Sequence, residues 1–171
     1  MELILVRHTK VAVDGLCYGF SDVDLADSFI AEKDEVLKKV DSNDAVVISS
    51  SSSRCTKLAS YISYDYSTDD RIKELNFGDW ELKRWDDLSD PEFDVWMNDY
   101  VKYKCPNGES LLQMKGRVED FYKELVSKNY QKVILVTHSG VVRIFHHLLK
   151  GIPLEDIFNV EIDYGGVHTF N

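Results

Sequence analysis

The sequence lacks most of the features that would tie it to a metal, a membrane or a nucleic acid. Its 171 residues include three cysteines, Cys17, Cys55 and Cys105, and no C-x-x-C pair. Neither a disulfide framework nor a zinc knuckle is therefore expected. The five histidines form no H-x-H at a strand end and no H-E-x-x-H, so no metal and no other cofactor is expected. Positive charge is in deficit: 20 Lys and Arg against 30 Asp and Glu leave a formal −10. That balance argues against nonspecific binding to nucleic acid or to an anionic membrane. It leaves room for a small anionic ligand, provided a few arginines gather at one place. The chain does not open with a basic region followed by an apolar stretch of roughly 7–15 residues. No run is long enough to span a bilayer, and a reducing cytoplasm is the expected compartment. Internal repeats are also missing.

What is present is a chain of ordinary globular composition, 44% apolar and 12% aromatic, long enough for one full core and short for two. A single domain over residues 1–171 is expected, with a small insert at about 82–108. Leu3–Val6 is a β-type apolar run ending in Arg7 and His8. Val133–Thr137 repeats that grammar and ends in His138. Strands of this kind read as buried members of an α/β sheet, whose C-terminal rim is where ligands bind. Between them the periodicity predicts a helix over Asp27–Val40 and strands at Ala45–Ile48 and Tyr64–Thr68. The serines Ser49–Ser53 read as a strand-to-helix turn capping a helix that carries Arg54, with Leu58, Ala59 and Ile62 inward. Arg71–Trp80 reads as a polar, aromatic loop, and the insert as one or two small helices with a local hydrophobic cluster. Ser110 is the expected N-cap of a helix to about Lys128, in which Gly116 costs roughly 1 kcal/mol relative to Ala. A helix from Gly140 to Lys150 stops at Gly151 with Pro153 beyond. Val160–Asp163 and Gly166–Phe170 are expected as two final strands. The succession predicts a three-layer α/β domain.

Arg7, His8, Arg54 and His138 all fall at strand ends or in the turns after them. Taken singly each has an ordinary reading as a solvated or salt-bridged rim residue. Together they fit a phosphate monoester, which needs several N–H donors, supplied by arginine in a rigid fork. A neutral imidazole can attack phosphorus with one nitrogen if a backbone acceptor holds the other, and a second histidine can donate to the equatorial oxygens. Glu74 is a candidate proton donor to the leaving oxygen, with a solvated loop carboxylate as its plain alternative. Backbone groups near Gly140, at a helix start, can also face an anion. His146 and His147 read as a surface or half-buried pair.

Four elements in order, R-H-T at 7–9, Arg54 in S-S-R-C-T-K-L-A, Glu74 in K-E-L-N-F-G-D-W-E and T-H-S-G at 137–140, resemble the histidine phosphatase superfamily, the branch containing cofactor-dependent phosphoglycerate mutase. The resemblance spans Leu3 to Phe170. It implies a mostly parallel six-stranded sheet with one antiparallel strand between helices, the phosphoglycerate mutase-like sandwich. It also implies metal-independent hydrolysis through a phosphohistidine on His8. Glu74 would be the proton donor, and Arg7, Arg54 and His138 the phosphate pocket, with Thr9, Ser139, Gly140, Tyr18 and Gly19 around it. Within the superfamily, Cys17-Tyr18-Gly19 with Asp22 and Asp24-Leu25, and Asp163-Tyr164-Gly165-Gly166-Val167, resemble the α-ribazole phosphatases of cobalamin assembly. The implied reaction takes α-ribazole 5'-phosphate to α-ribazole and phosphate.

Several positions depart from the superfamily pattern. Thr9 stands for the usual Gly, Lys10 for an acidic residue or Thr, Ser51-Ser52 for Pro-Leu before Arg54, Ser139 for Gly, and Leu82 for a Gly after Trp80-Glu81. None removes a charge-bearing residue, though each loosens the inference of substrate. The competing readings are a broad sugar-phosphate or nucleotide phosphatase, a phosphoglycerate mutase, and a catalytically idle binding protein. The modest insert favours hydrolysis over mutase chemistry, which must shield phosphohistidine from water. Monomer and homodimer are both compatible with the sequence.

Overall fold

The computed structural model describes residues 1–89 and 91–171. Five strands, β1 (Glu2–Arg7), β2 (Val46–Ser49), β3 (Tyr66–Thr68), β4 (Lys132–Thr137) and β5 (Val167–Phe170), form one sheet in the order β3-β2-β4-β1-β5. The first four are mutually parallel and β5 runs antiparallel to β1. Among the described residues five α-helices accompany them: α1 (Phe29–Lys39), α2 (Ser53–Ile62), α3 (Pro91–Asn98), α4 (Leu111–Ser127) and α5 (Ser139–Lys150).

Alternation along the central strands sends side chains to both faces. Leu3, Leu5, Val133 and Leu135 pack with Val118, Phe121 and Leu125 of α4 and with Val141, Ile144 and Phe145 of α5. Ile4, Val6, Ile134 and Val136 face the other way, against Phe29 and Val36 of α1 and Leu58, Ala59 and Ile62 of α2. The result is the three-layer sandwich expected from the alternation of strands and helices. The segment between α2 and α4 extends the first core as an aromatic cluster, in which Trp80 and Trp96 lie 5.7 Å apart and Phe77 and Trp85 5.3 Å apart.

The ends of the elements follow local chemistry. Ser110 and Gln113 close a capping box at the start of α4, and Gly151 ends α5 in the left-handed region at φ 70°. Ser52 occupies the N-cap of α2 without a side-chain cap bond. Asp22, from the loop after β1, caps it instead by accepting the Ser53 N–H at 2.9 Å.

Among the described residues the sheet has five strands where six were expected. Val160–Asp163 is not a strand, although its residues alternate. Two of its carbonyls are taken by arginine side chains: Val160 O accepts from Arg143 Nε at 3.1 Å and Ile162 O from Arg7 Nη1 at 2.6 Å. Its backbone is committed to the rim rather than to a ladder. His146 is also more enclosed than a surface reading allows; it is 7% exposed and lies against His168, Nε2 to Nδ1 3.3 Å.

Candidate active site

Register brings the two strand-end histidines together. Arg7 pairs with Thr137 across β1 and β4, so the residues that follow, His8 and His138, are lateral neighbours. The His8 N–H donates to Thr137 O at 3.0 Å, and the ring centroids stand 5.2 Å apart in an edge-on arrangement. His8 Nδ1 lies 2.8 Å from Thr9 O, an acceptor only, so Nδ1 carries the proton and Nε2 keeps its lone pair. Burial, and after it the Arg54 and Arg7 charges, lower the His8 imidazole to about 3, which leaves it neutral near pH 7. The Thr9 hydroxyl is buried without a partner among the described residues.

His138 is fully buried. Its Nε2 lies 2.8 Å from Ser50 Oγ and its Nδ1 3.3 Å from Arg54 Nη2. The guanidinium can only donate, so Nδ1 is the acceptor and the proton sits on Nε2, facing Ser50. Desolvation first, then the Arg54 and His8 charges, hold His138 well below its ordinary value.

The two arginines approach from opposite sides. Arg54, 1% exposed, donates to Ser21 O at 3.0 Å and to Gly19 O at 2.7 Å. Arg7 is held by Ile162 O and lies over the Tyr164 ring, 3.7 Å from its centroid. The Tyr164 hydroxyl meets that of Tyr18 at 2.9 Å, and the Tyr18 ring lies 5.2 Å from the Arg54 guanidinium. The Nε atoms of both arginines are buried without an acceptor among the described residues. Unfilled buried guanidinium donors are costly unless an anion engages them.

Glu74 joins the constellation through the start of α5. Its Oε2 accepts from Gly140 N at 3.0 Å and Ser139 Oγ at 3.3 Å, while Oε1 accepts from Leu75 N at 3.0 Å. The helix-start amide at Gly140 thus faces the carboxylate. Gly19 is required by close approach: a Cβ there would stand 1.7 Å from Leu75 O.

Three contributors were not singled out in the sequence. Ser50 receives the Nε2–H of His138 in the tautomer that Arg54 imposes. Glu81 gathers the amides of Gly19, Phe20, Ser21 and Phe77 at 2.9–3.1 Å, and so shapes the loop whose carbonyls hold Arg54. Arg143, on α5, lines the cavity beside Glu74. Lys10 is exposed, and His147 Nδ1 donates to Ile152 O at 2.7 Å, outside the site.

Arg7, His8, Tyr18, Glu74, His138 and Ser139 line a cavity of about 190 Å³. Leu16, Phe77, Trp85, Leu111, Ile157 and Phe158 line it as well, together with Leu75, Met114, Gly140 and Arg143, so an apolar wall adjoins the charged groups.

A family model described as the histidine phosphatase superfamily (branch 1) matches residues 3–171. A Hydrogenobacter thermophilus protein named "Putative phosphoserine phosphatase 2" is 31% identical over 180 residues, covering 97% of this chain and 87% of that protein. The Escherichia coli "Adenosylcobalamin/alpha-ribazole phosphatase" is 30% identical over 177 residues, covering 96% of this chain and 87% of that protein. Among solved structures, the alpha-ribazole phosphatase from Shigella flexneri superposes with a TM-score of 0.91 at 27% identity, over 100% of this chain and 90% of that one.

Proposed function

The chain belongs to the histidine phosphatase superfamily and is a phosphatase, and on that premise we propose that it hydrolyses α-ribazole 5'-phosphate through a phosphohistidine on His8. His8 Nε2 attacks phosphorus while its Nδ1–H stays on Thr9 O. Arg7 and Arg54 donate to the phosphoryl oxygens, where charge is concentrated in the transfer, and the bound phosphate favours the imidazolium form of His138, which then joins them as a donor. Protonated Glu74 gives its proton to the departing ribose oxygen as the P–O bond breaks. The resulting carboxylate then takes a proton from the water that attacks phosphohistidine, releasing phosphate and restoring both groups.

The observation that carries the choice of substrate is the apolar wall of Leu16, Phe77, Trp85, Leu111, Ile157 and Phe158 beside the charged groups. A planar, weakly polar base is matched to such a wall, whereas the ammonium and carboxylate of phosphoserine would be desolvated against it. A second reading, phosphoserine, is favoured by Arg143, a cation lining the same cavity that could receive a substrate carboxylate.

The test compares kcat/KM of the purified protein on α-ribazole 5'-phosphate, phosphoserine, 3-phosphoglycerate and simple sugar phosphates. The expected order puts α-ribazole 5'-phosphate first, and a higher value on phosphoserine would overturn the substrate assignment. With the preferred substrate, wild type is expected to yield an acid-labile phosphoryl adduct on His8 in rapid quench, and His8→Ala to yield neither adduct nor turnover. Undiminished turnover by His8→Ala would reject the nucleophile.

A further inference from the structure

The loop bearing Glu74 is gripped from behind by a side chain of α4. Arg117 Nη1 donates to Arg71 O and Lys73 O, 2.7 Å each, and Nη2 to Glu74 O at 2.8 Å and Glu109 Oε1 at 2.5 Å. Its Nε donates to Glu109 Oε2 at 3.1 Å. All five N–H donors of the guanidinium are thereby engaged. Glu109 extends the grip: its Oε1 accepts the Asn76 N–H at 2.9 Å, and its own N–H donates to Asn76 O at 2.9 Å. Residues 71–76 have no helix or strand ladder of their own beyond one short turn. Without Arg117 the carbonyls of Arg71, Lys73 and Glu74 would lose these donors.

We propose that Arg117, locked by Glu109, is a positioning residue for proton transfer by Glu74. The inference rests on reading Glu74 as the proton donor. The planar fork reaches three carbonyls spread over four residues, and this sets the height of the Glu74 backbone above α5. From there the carboxylate reaches Gly140 N and Ser139 Oγ. A lysine in place of Arg117 keeps the charge and offers three donors from a single point, so it cannot hold the same three carbonyls and Glu109 together. A donor displaced by about 1 Å loses its alignment with the leaving oxygen, and the loss falls on substrates that need the proton.

The experiment measures kcat/KM for wild type, Arg117→Lys, Glu109→Gln and Glu74→Gln on 4-nitrophenyl phosphate and on an alkyl phosphate of similar size, with thermal unfolding of each variant. Glu109→Gln keeps the side-chain shape and supplies a folded second variant should Arg117→Lys unfold. Expected are losses of about tenfold or more on the alkyl ester and within about threefold on the nitrophenyl ester for both clamp variants. The double variant Arg117→Lys/Glu74→Gln is expected to lose no more than Glu74→Gln alone. A leaving-group-dependent loss in Glu74→Gln together with equal losses on both esters in the clamp variants would overturn the positioning role and leave the Glu74 reading intact. Equal losses on both esters in Glu74→Gln itself would remove the Glu74 reading and the inference with it.

Discussion

One methyl group on α5 can separate the proton donor from the rest of the site. Gly140 is the second residue of the helix, and a Cβ built there stands 2.1 Å from Glu74 Oε1 and 3.1 Å from Met114 Cε. Its φ is not in the left-handed region, so alanine meets no backbone penalty. The obstruction is the far end of a side chain, and the carboxylate must retreat by about 1.3 Å or more to reach ordinary contact. Retreat breaks or stretches the 3.0 Å bond from Gly140 N and the 3.3 Å bond from Ser139 Oγ.

The thermodynamic terms offset each other only in part. A hydrogen bond to a charged acceptor is worth about 1.5–3 kcal/mol, and replacing a helical Gly by Ala returns up to about 1 kcal/mol. A net loss of about 1–2 kcal/mol lowers Tm by no more than about 8 °C in a chain of this size. The kinetic cost is larger, because a misplaced acid forfeits most of a contribution of about 10²–10⁴. Gly140→Ala is therefore expected to stay folded and to lose about 10²-fold in kcat/KM on an alkyl phosphate, but only a few-fold on 4-nitrophenyl phosphate. Steady-state kinetics on the two esters beside a melting curve decide it. Wild-type kinetics on the alkyl ester, or equal losses on both, would show that the position of Glu74 does not govern departure of the leaving group.

Gly116→Ala, in the middle of α4, meets nothing within 4 Å and is expected to raise Tm by about 2–4 °C without altering turnover; a lowered Tm in calorimetry would count against the open space at that position. Acid is expected to destabilise the fold well before carboxylates protonate. His8 falls to about 3, and His138, His146 and His168 are also lowered chiefly by burial, so the unfolded chain binds more protons below its value of 6.5. Stability is then full above 6.5 and is lost as pH falls toward the folded values. His8 alone costs about 3 kcal/mol by pH 4.5. Urea midpoints that stay flat from pH 7 to 4.5 would refute the neutral, buried histidines.

The legible part of the site was the part written into strand ends. R-H after Val6 and T-H after Val136 are local statements: an apolar strand must stop, and the residue after it must stand on the rim. That β1 and β4 are neighbours is a pairing choice between segments far apart in the chain, and neither strand carries a mark for it. The family resemblance supplied that step. Arg117 did carry a signal, because it borders the apolar face of α4 beside Met114 and Val118, whereas Arg143 falls on the polar stripe of α5 with Ser139, His147 and Lys150 and carried none. A cation at such a position needs internal acceptors, and its partners turned out to be loop carbonyls invisible to periodicity. Carbonyls held by Arg7 and Arg143 likewise defeated the reading of Val160–Asp163 as a strand, because alternation cannot tell a ladder from a rim whose oxygens bind arginine.

How the arginines are held explains why a chain of formal charge −10 can attract a phosphate. Arg7 is anchored by Ile162 O, Arg54 by Gly19 O and Ser21 O, and Arg143 by Val160 O. Carbonyls satisfy donor geometry while cancelling no charge, so the field remains for an incoming anion. Two arginines outside the site are treated differently: Arg71 pairs with Asp69 and Glu124, and Arg117 with Glu109. Among the described residues the nearest carboxylate to Arg54 is Asp22, at 3.8 Å and 60% exposed, where water screens it. With His8 and His138 neutral, the cationic charge at the site comes from the arginines alone. Substituting a carboxylate for any of these carbonyl anchors would preserve the hydrogen bond and abolish the attraction, which is why the loops that supply them, rather than the strands, set the affinity of the site.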